Sequence, residues 1–177
     1  HTVEAFEKAE IPFVGAGKNR SEAYQIHYEE IKGKTIATLG FTEIYTRDAL
    51  TGIETPGVAT SNIKIMLNKI HEARKYADFV ITHIHWGTEY KTKYDKRQRQ
   101  IAEVLADEGV DIIIGHHPHV LQTVDVIDNT IVFYSLGNFI FDQGWSMTRE
   151  TVFPILTLEK DGKIEVSLTP MLVKEGI

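Results

Sequence analysis

The chain has 177 residues, 42% of them hydrophobic and 25% charged, a composition that fits one globular domain spanning residues 1–177. Its net charge of −6 argues against a broad basic surface, and therefore against nucleic acid as a partner. Cysteine is absent, which excludes disulfides, thiolate metal sites and cysteine nucleophiles. No apolar run approaches the roughly eighteen residues that a membrane-spanning helix needs.

The first third of the chain predicts a helix, a strand and a hairpin. Residues 1–9 have the apolar spacing of a helix end, and residues 11–17 (IPFVGAG) predict a short buried strand that runs into a glycine turn. Residues 24–43 contain two β-rich runs around Lys32-Gly33-Lys34, which predicts a hairpin. Residues 47–57 are rich in Thr, Gly and Pro and predict a loop.

The middle of the chain predicts two parallel strands joined by a helix. Residues 78–87 (DFVITHIHWG) and 110–115 (VDIIIG) have the apolar character of strands covered on both faces. Residues 95–108 form a helical pattern between them, and an earlier helix follows the candidate N-caps Thr60, Ser61 and Asn62. Because such a crossover connects parallel strands, both carboxyl ends meet at one edge of the sheet, where open α/β sheets bind ligands.

Beyond residue 120 the pattern is β-rich. Residues 120–127 and 130–137 flank a turn, and residues 151–160 and 163–172 flank another. Both arrangements predict antiparallel pairs, and residues 138–150 between them predict a loop. The complete pattern therefore predicts an α/β fold with a mixed sheet, flanking helices and a β-rich C-terminal part.

Histidines follow both of the predicted parallel strands. His85 ends the first strand, and His117 and His119 follow the second within a His-Pro-His segment. Imidazole is a common ligand of divalent transition metals, and a proline stiffens the backbone between two ligands. A single His-x-His segment more often contains surface histidines, but two clusters at one sheet edge favour a metal site. We expect all three to bind metal, with carboxylates or amides completing a two-metal centre.

Five further residues are candidates for orienting a ligand or contacting a substrate: His83, Glu89, His116, Gln122 and Asn138. His83 begins deeper in the strand than His85, which favours a buried, hydrogen-bonded role, and His116 is expected to point away from His117. Glu89 fits two interpretations equally well, a carboxylate that orients an imidazole or an ordinary loop carboxylate. No residue is assigned a catalytic role.

Three motifs in this order resemble one family. HWGTEY at residues 85–90, GHHPHV at residues 115–120 and SLGNF at residues 135–139, together with the opening VEAFEKAEIPFVGAGKN, resemble the bacterial capsule-synthesis protein CapA family. That family is associated with poly-γ-glutamate capsules and is similar to calcineurin-like metallophosphoesterases. The resemblance covers essentially the whole chain. It implies a metallophosphoesterase-like β-sandwich whose lone histidine and His-x-His ligands correspond to His85, His117 and His119.

The metallophosphoesterase pattern also requires Asp-x-His, Gly-Asp and Asn-His motifs, and none of these occurs in the sequence. The resemblance therefore implies the C-terminal portion of a CapA-like domain whose N-terminal part is missing. It implies two divalent metal ions in the full-length protein, with manganese, iron or zinc as the metal. We expect the isolated chain to be inactive as a hydrolase, because three histidines alone leave the metals underligated.

Two functions follow from the resemblance. In the first, the protein serves poly-γ-glutamate biosynthesis or export at the outer side of the cell membrane, anchored by a segment absent from this chain. Its partners are then the anionic polymer and the membrane subunits of capsule synthesis. In the second, it is a divalent-metal-dependent phosphoesterase or related hydrolase of an anionic substrate, incomplete in this chain. A missing strand would expose a sheet edge or an apolar face, so we also expect copies of the chain to associate.

Overall fold

The computed structural model describes residues 2–142, 145–159 and 161–174. Residue 1 of the predicted first helix, residues 143 and 144 of the predicted loop and residue 160 of the predicted strand therefore lie outside the described residues. The helices of this part are α1 (Thr2–Lys8), α2 (Arg20–Ala23), α3 (Ile63–Arg74) and α4 (Lys96–Asp107). Its strands are β1 (Ala16–Gly17), β2 (His27–Ile31), β3 (Lys34–Thr42), β4 (Gly57–Val58), β5 (Phe79–His85), β6 (Ile112–His116), β7 (Val124–Ile127), β8 (Thr130–Phe133), β9 (Glu150–Leu158) and β10 (Ile164–Leu172). Short 3-10 helices occupy Arg47–Ala49 and Ser146–Arg149.

The largest sheet is mixed and six-stranded, in the order β2-β3-β5-β6-β8-β7. The inner strands β3, β5, β6 and β8 are parallel, while β2 and β7 pair antiparallel at the two edges. β5, α4 and β6 form the predicted parallel unit, and β2 and β3 form the predicted hairpin. The α/β class and the mixed sheet with flanking helices are thereby confirmed.

One face of this sheet is covered by α3 and α4. Asn62 caps α3, because its side-chain oxygen accepts a hydrogen bond from the Ile65 backbone N–H at 3.3 Å. Both helices present a buried apolar stripe to the sheet, consisting of Met66, Ile70, Ala73, Ile101, Ala102 and Leu105, which packs with Val80, Ile84 and Ile113. Since each fully buried aliphatic side chain contributes roughly 1.5–3 kcal/mol, this layer is a main source of stability.

The opposite face of the sheet carries the histidines of β5. Alternate residues of a strand point to opposite faces, so His83 and His85 share the face of Ile81. Toward β8 this face is covered by the β9–β10 hairpin, whose Leu156, Leu158 and Ile164 pack with Ile112, Ile114 and Phe133. The imidazoles of His83 and His85 therefore lie next to this apolar layer, at the carboxyl end of β5.

The strand predicted at residues 11–17 is largely wrong. Pairing is confined to Ala16 and Gly17, which pair with β4, and Ile11 is 51% exposed. The physical reason is a close crossing over β3: a Cβ placed on Gly40 would lie 2.9 Å from the Val14 side chain and 3.0 Å from the Gly15 nitrogen. Gly15 turns there with φ 83°, so the extended pairing begins only after it.

Both C-terminal pairs are confirmed, but they belong to different sheets. β7 and β8 extend the large sheet, whereas β9 and β10 form a two-stranded antiparallel sheet of their own. β7 begins at Val124 rather than at residue 120, because Leu121 makes only an isolated bridge to Leu136. None of the described helices is long and apolar enough to cross a membrane.

Candidate metal centre

The carboxyl ends of β5 and β6 lie side by side, with His85 in register with His116. Two backbone hydrogen bonds join the loops that follow these strands. The Trp86 N–H donates to the His116 carbonyl at 3.1 Å, and the Tyr90 N–H donates to the Pro118 carbonyl at 2.8 Å. The fold therefore brings the two histidine segments to one edge of the sheet.

Three side chains converge between these loops. Glu89, His117 and His119 each offer one ligand atom, and the three atoms lie within 4.8 Å of one another. Imidazole nitrogens and a carboxylate oxygen are ligands that zinc, iron and manganese ions accept in proteins. The donor set and its spacing therefore fit a divalent metal ion. The sequence assigned Glu89 to an orienting role or to none, whereas the structure makes it a candidate ligand.

The backbone is strained where these side chains converge. His117 has φ 96°, His119 has φ 58° and Tyr90 has φ 62°, all in the left-handed region. A non-glycine residue in a sparsely populated region costs of order 1–3 kcal/mol and persists only when its surroundings enforce it. Such residues cluster at active sites and ligand clamps, which supports a functional assignment for this segment.

The ring of His119 is oriented by Asn138. His119 Nδ1 lies 2.7 Å from Asn138 Oδ1, and Asn138 Nδ2 donates to the Thr148 carbonyl at 3.0 Å. Because an amide oxygen can only accept, His119 Nδ1 must carry the proton. In the neutral ring Nε2 then has a free lone pair, which is the arrangement of a metal-binding histidine. The placement of Asn138 fits the orienting role, which is one of the two roles that the sequence left open for it.

His85 stands beside this group rather than within it. Its ring centroid lies 4.7 Å from that of His117, but among the described residues the mutually close ligand atoms belong to Glu89, His117 and His119. Burial lowers the pKa of His85 to about 4, and the positive charge of protonated His117 adds to this effect. Burial also lowers the pKa of His117. Both rings are therefore neutral at neutral pH, the form that binds metal.

His83 and His116 form a separate pair. Their rings stack with centroids 5.3 Å apart, and His83 Nδ1 lies 3.0 Å from His116 Nε2. Burial lowers the pKa of His83. The hydrogen-bonded role that the sequence favoured for His83 matches this contact, although the side chain is only half-buried. One nitrogen of each ring is engaged in the contact with the other ring. The pair therefore lies beside the centre and is not part of the group formed by Glu89, His117 and His119.

The side chain of Gln122 is buried and hydrogen-bonded to the protein. The residue is 7% exposed, and its side-chain amide donates to the Lys91 carbonyl at 2.8 Å and to the Lys93 carbonyl at 3.3 Å. Its amide oxygen accepts from Gln98 Nε2 at 2.9 Å. These contacts go to the loop that carries Glu89, so Gln122 supports the site from the protein side.

Comparison with known proteins identifies the family. The model of the bacterial capsule synthesis protein family PGA_cap matches residues 1–143, which include every residue of the candidate centre. The chain belongs to this family. It is 43% identical over 176 residues to the PGA biosynthesis protein CapA of Bacillus subtilis (strain 168), and 40% identical over 179 residues to the capsule biosynthesis protein CapA of Bacillus anthracis. These alignments cover 99% of this chain but only 46% and 44% of the relatives, so the chain spans less than half of their length.

Solved structures show that this member of the PGA_cap family has a metallophosphoesterase-like fold. A putative 5′-nucleotidase from Staphylococcus aureus superposes with a TM-score of 0.61 at 15% sequence identity, covering 97% of this chain and 35% of that chain. The NAD nucleotidase of Haemophilus influenzae superposes with a TM-score of 0.54 at 14% identity, covering 97% and 36%. At such identities the likeness concerns the fold alone, and it confirms the fold that the sequence motifs implied.

Two residues that shape this site, Tyr90 and Gln98, were not predicted from the sequence patterns. Tyr90 anchors the Glu89 loop through its backbone, and its ring lies 6.2 Å from that of His119. Gln98 fills the third position of α4, where its side chain accepts from the Asp95 N–H at 3.0 Å. The sequence did hold a signal for Gln98, because an acidic cap followed three residues later by Gln is a capping box. Nothing local indicated the left-handed backbone of Tyr90.

Proposed function

We propose that this chain supplies the histidine side of a divalent-metal centre in a protein that serves poly-γ-glutamate capsule synthesis. The observation that carries the proposal is the convergence of Glu89, His117 and His119, with ligand atoms within 4.8 Å of one another. The fixed ring of His119 and the neutral ring of His85 support it. The names of the Bacillus relatives support the capsule assignment.

In this proposal each residue has a defined task. His117, His119 and Glu89 hold one ion, and His85, beside His117, belongs to the second ion of the complete centre. A divalent ion bound there would attract an anionic oxygen and lower the pKa of a bound water. In this proposal the ligands for the second ion come from other parts of the whole protein, since the chain spans less than half the length of the Bacillus relatives. Manganese, iron and zinc all suit this donor set.

The proposed substrate class is an anionic polymer, with poly-γ-glutamate as the member that the relatives indicate. A chain of net charge −6 repels a polyanion at long range, so a bound cation is needed to attract carboxylates. We place the protein at the outer side of the cell membrane, with membrane subunits of the capsule machinery as partners. Both assignments follow from the family and its association with capsules.

The metal is tested first. The 177-residue chain, purified without chelators, is compared by mass spectrometry with the double variant H117A/H119A and with H71A. His71 is the control because it lies on α3 and pairs with Glu108, away from the centre. We expect stoichiometric metal in the wild type and in H71A, and none in the double variant. Equal metal content in the wild type and the double variant would contradict the proposed ligands.

The capsule role is tested in a chimera. The 176 matching residues of the Bacillus subtilis relative are replaced by this chain, with and without H117A/H119A, in cells that lack their own CapA. We expect the unsubstituted chimera to restore extracellular poly-γ-glutamate and the substituted one, present at equal protein level, to lose it. Polymer production by both chimeras would show that capsule synthesis does not require the metal centre.

A metal-dependent phosphoesterase is the second candidate, favoured by the likeness to the two nucleotidase folds. The purified chimera is assayed for hydrolysis of p-nitrophenyl phosphate with added Mn²⁺. Hydrolysis that requires the metal and disappears in H117A/H119A supports this candidate. A chimera that restores the polymer in cells but hydrolyses no phosphoester would contradict the phosphoesterase candidate. Capsule synthesis would then stand as the function.

A further inference from the structure

A chain of buried amides connects the two loops of the centre. Gln98 Nε2 donates to Gln122 Oε1 at 2.9 Å, and Gln122 Nε2 donates to the carbonyls of Lys91 and Lys93 at 2.8 and 3.3 Å. Gln98 is fully buried and Gln122 is 7% exposed. Hydrogen bonds in such surroundings are costly to break, because no water replaces the lost partner.

This amide chain holds the segment on which Glu89 lies. Gln122 follows His119 by three residues, so its backbone belongs to the histidine loop while its side chain bonds to the Glu89 loop. The Glu89 loop is closely packed on the same amides: a Cβ placed on Gly87 would lie 2.7 Å from the Gln98 carboxamide carbon. Glu89 itself is exposed, so the position of its carboxylate depends on its backbone being held.

We propose that Gln122 is a positioning residue that sets Glu89 against His117 and His119, with Gln98 holding Gln122 in place. Only a carboxamide meets the requirement, because it accepts from Gln98 with its oxygen and donates to two carbonyls with its nitrogen. A carboxylate cannot donate and an ammonium group cannot accept. This inference rests on the proposed metal centre, and it assigns the control of that centre's geometry to a residue that touches no ligand atom of it.

The test measures Mn²⁺ and Zn²⁺ affinity of the full chain by calorimetry. Q122M removes all three hydrogen bonds without adding charge, and Q100M makes the same exchange at an exposed position of α4. We expect Q122M to weaken metal binding about 10- to 100-fold, as loss of supporting contacts around ligands does, and Q100M to leave it unchanged. Q98M removes the donor to Gln122, together with the acceptor for the Asp95 N–H, and leaves the bonds from Gln122 to the Lys91 and Lys93 carbonyls in place, so a smaller loss is expected.

A double variant separates positioning from general destabilisation. If Gln122 acts through Glu89, then Q122M weakens metal binding no further in an E89Q background. A loss of affinity that is equally large with and without Glu89 would overturn the proposal. So would a Q122M chain with a lower melting temperature and unchanged affinity, since that is the result of a purely structural role.

Hydrogen exchange distinguishes a failure of this inference from a failure of the metal centre. In the metal-free chain, Q122M is expected to accelerate exchange of the backbone amides at residues 88–94 and to leave α3 unchanged. If the wild type binds no metal but exchange at residues 88–94 accelerates, the metal centre is wrong and the loop-holding role stands. If exchange at residues 88–94 is unchanged, the positioning role is wrong whatever the metal affinity.

Discussion

At the scale of single residues, a hydrogen bond at one imidazole nitrogen fixes the ring and leaves the other nitrogen able to bind a metal ion. His119 Nδ1 is fixed by Asn138 Oδ1, and Asn138 is held in turn by the Thr148 carbonyl, on the 3-10 helix Ser146–Arg149. The ring orientation therefore depends on a segment almost thirty residues further along the chain. Support of this kind lowers the number of ring orientations that a bound metal must select.

Asn138 gives the residue-scale prediction. N138A removes the acceptor for His119 Nδ1 and is expected to weaken Zn²⁺ affinity about 10- to 100-fold, measured by competition with a chromogenic chelator. N62A is the matched control, because it removes the cap of α3 at a cost of about 1 kcal/mol while leaving the centre intact. Wild-type zinc affinity in N138A would show that Asn138 does not orient the ring.

Glu89 and His85 show which parts of the candidate site residue types and spacing can predict. Both lie within a motif whose histidine was predicted to bind metal, yet Glu89 joins the mutually close ligand atoms of His117 and His119 and His85 does not. The sequence predicts that His85 ends a strand, because the apolar alternation runs up to it. It does not predict Glu89's position, because the loop after β5 turns back through left-handed residues Gly87 and Tyr90.

At the scale of elements, the β9–β10 hairpin closes the histidine face of the sheet. It pairs only within itself among the described strands, and it is attached to the large sheet through Leu156, Leu158 and Ile164. Neighbouring side chains on its other face, such as Ile155, are 50% exposed. Alternate residues of β9 therefore differ in role: one face packs on the large sheet, and the other face is exposed.

Two adjacent residues of β9 test this attachment. L156A removes contacts with Ile112, Ile114 and Phe133 and is expected to lower the free energy of unfolding by about 1–3 kcal/mol, because the site is partly buried. I155A, on the exposed side, is expected to change it by less than about 0.5 kcal/mol. Urea denaturation followed by circular dichroism measures both. Equal losses in the two variants would mean that the hairpin does not pack as described.

At the scale of the whole molecule, apolar surface remains uncovered on the hairpin. Val166, Leu168 and Leu172 share the strand face of Ile164, yet they are 37%, 43% and 53% exposed. Val166 lies opposite Leu156, within the packed part of the hairpin, whereas Leu168 and Leu172 lie further along β10, beyond the packed residues. Contiguous exposed apolar side chains favour contact with another protein surface.

The expected consequence is self-association of the chain. Sedimentation velocity over a hundredfold range of concentration is expected to show a rising sedimentation coefficient, because apolar contact between copies removes these side chains from water. L168D is expected to weaken the association, whereas I53D, at a residue 80% exposed elsewhere on the surface, is not. A sedimentation coefficient independent of concentration would contradict the prediction.

The sequence by itself determined the α/β class, the parallel unit around α4, the hairpin β2–β3, the two C-terminal pairs and the histidines at the sheet edge. These follow from local causes: apolar periodicity, turn residues and the requirement that a crossover joins parallel strands. The tertiary structure alone decided that residues 11–15 are not a strand, that Glu89 lies close to His117 and His119, and that Gln98 and Gln122 hydrogen-bond to each other and to the loop that carries Glu89. Those outcomes depend on contacts between segments distant in the chain, which no local pattern encodes.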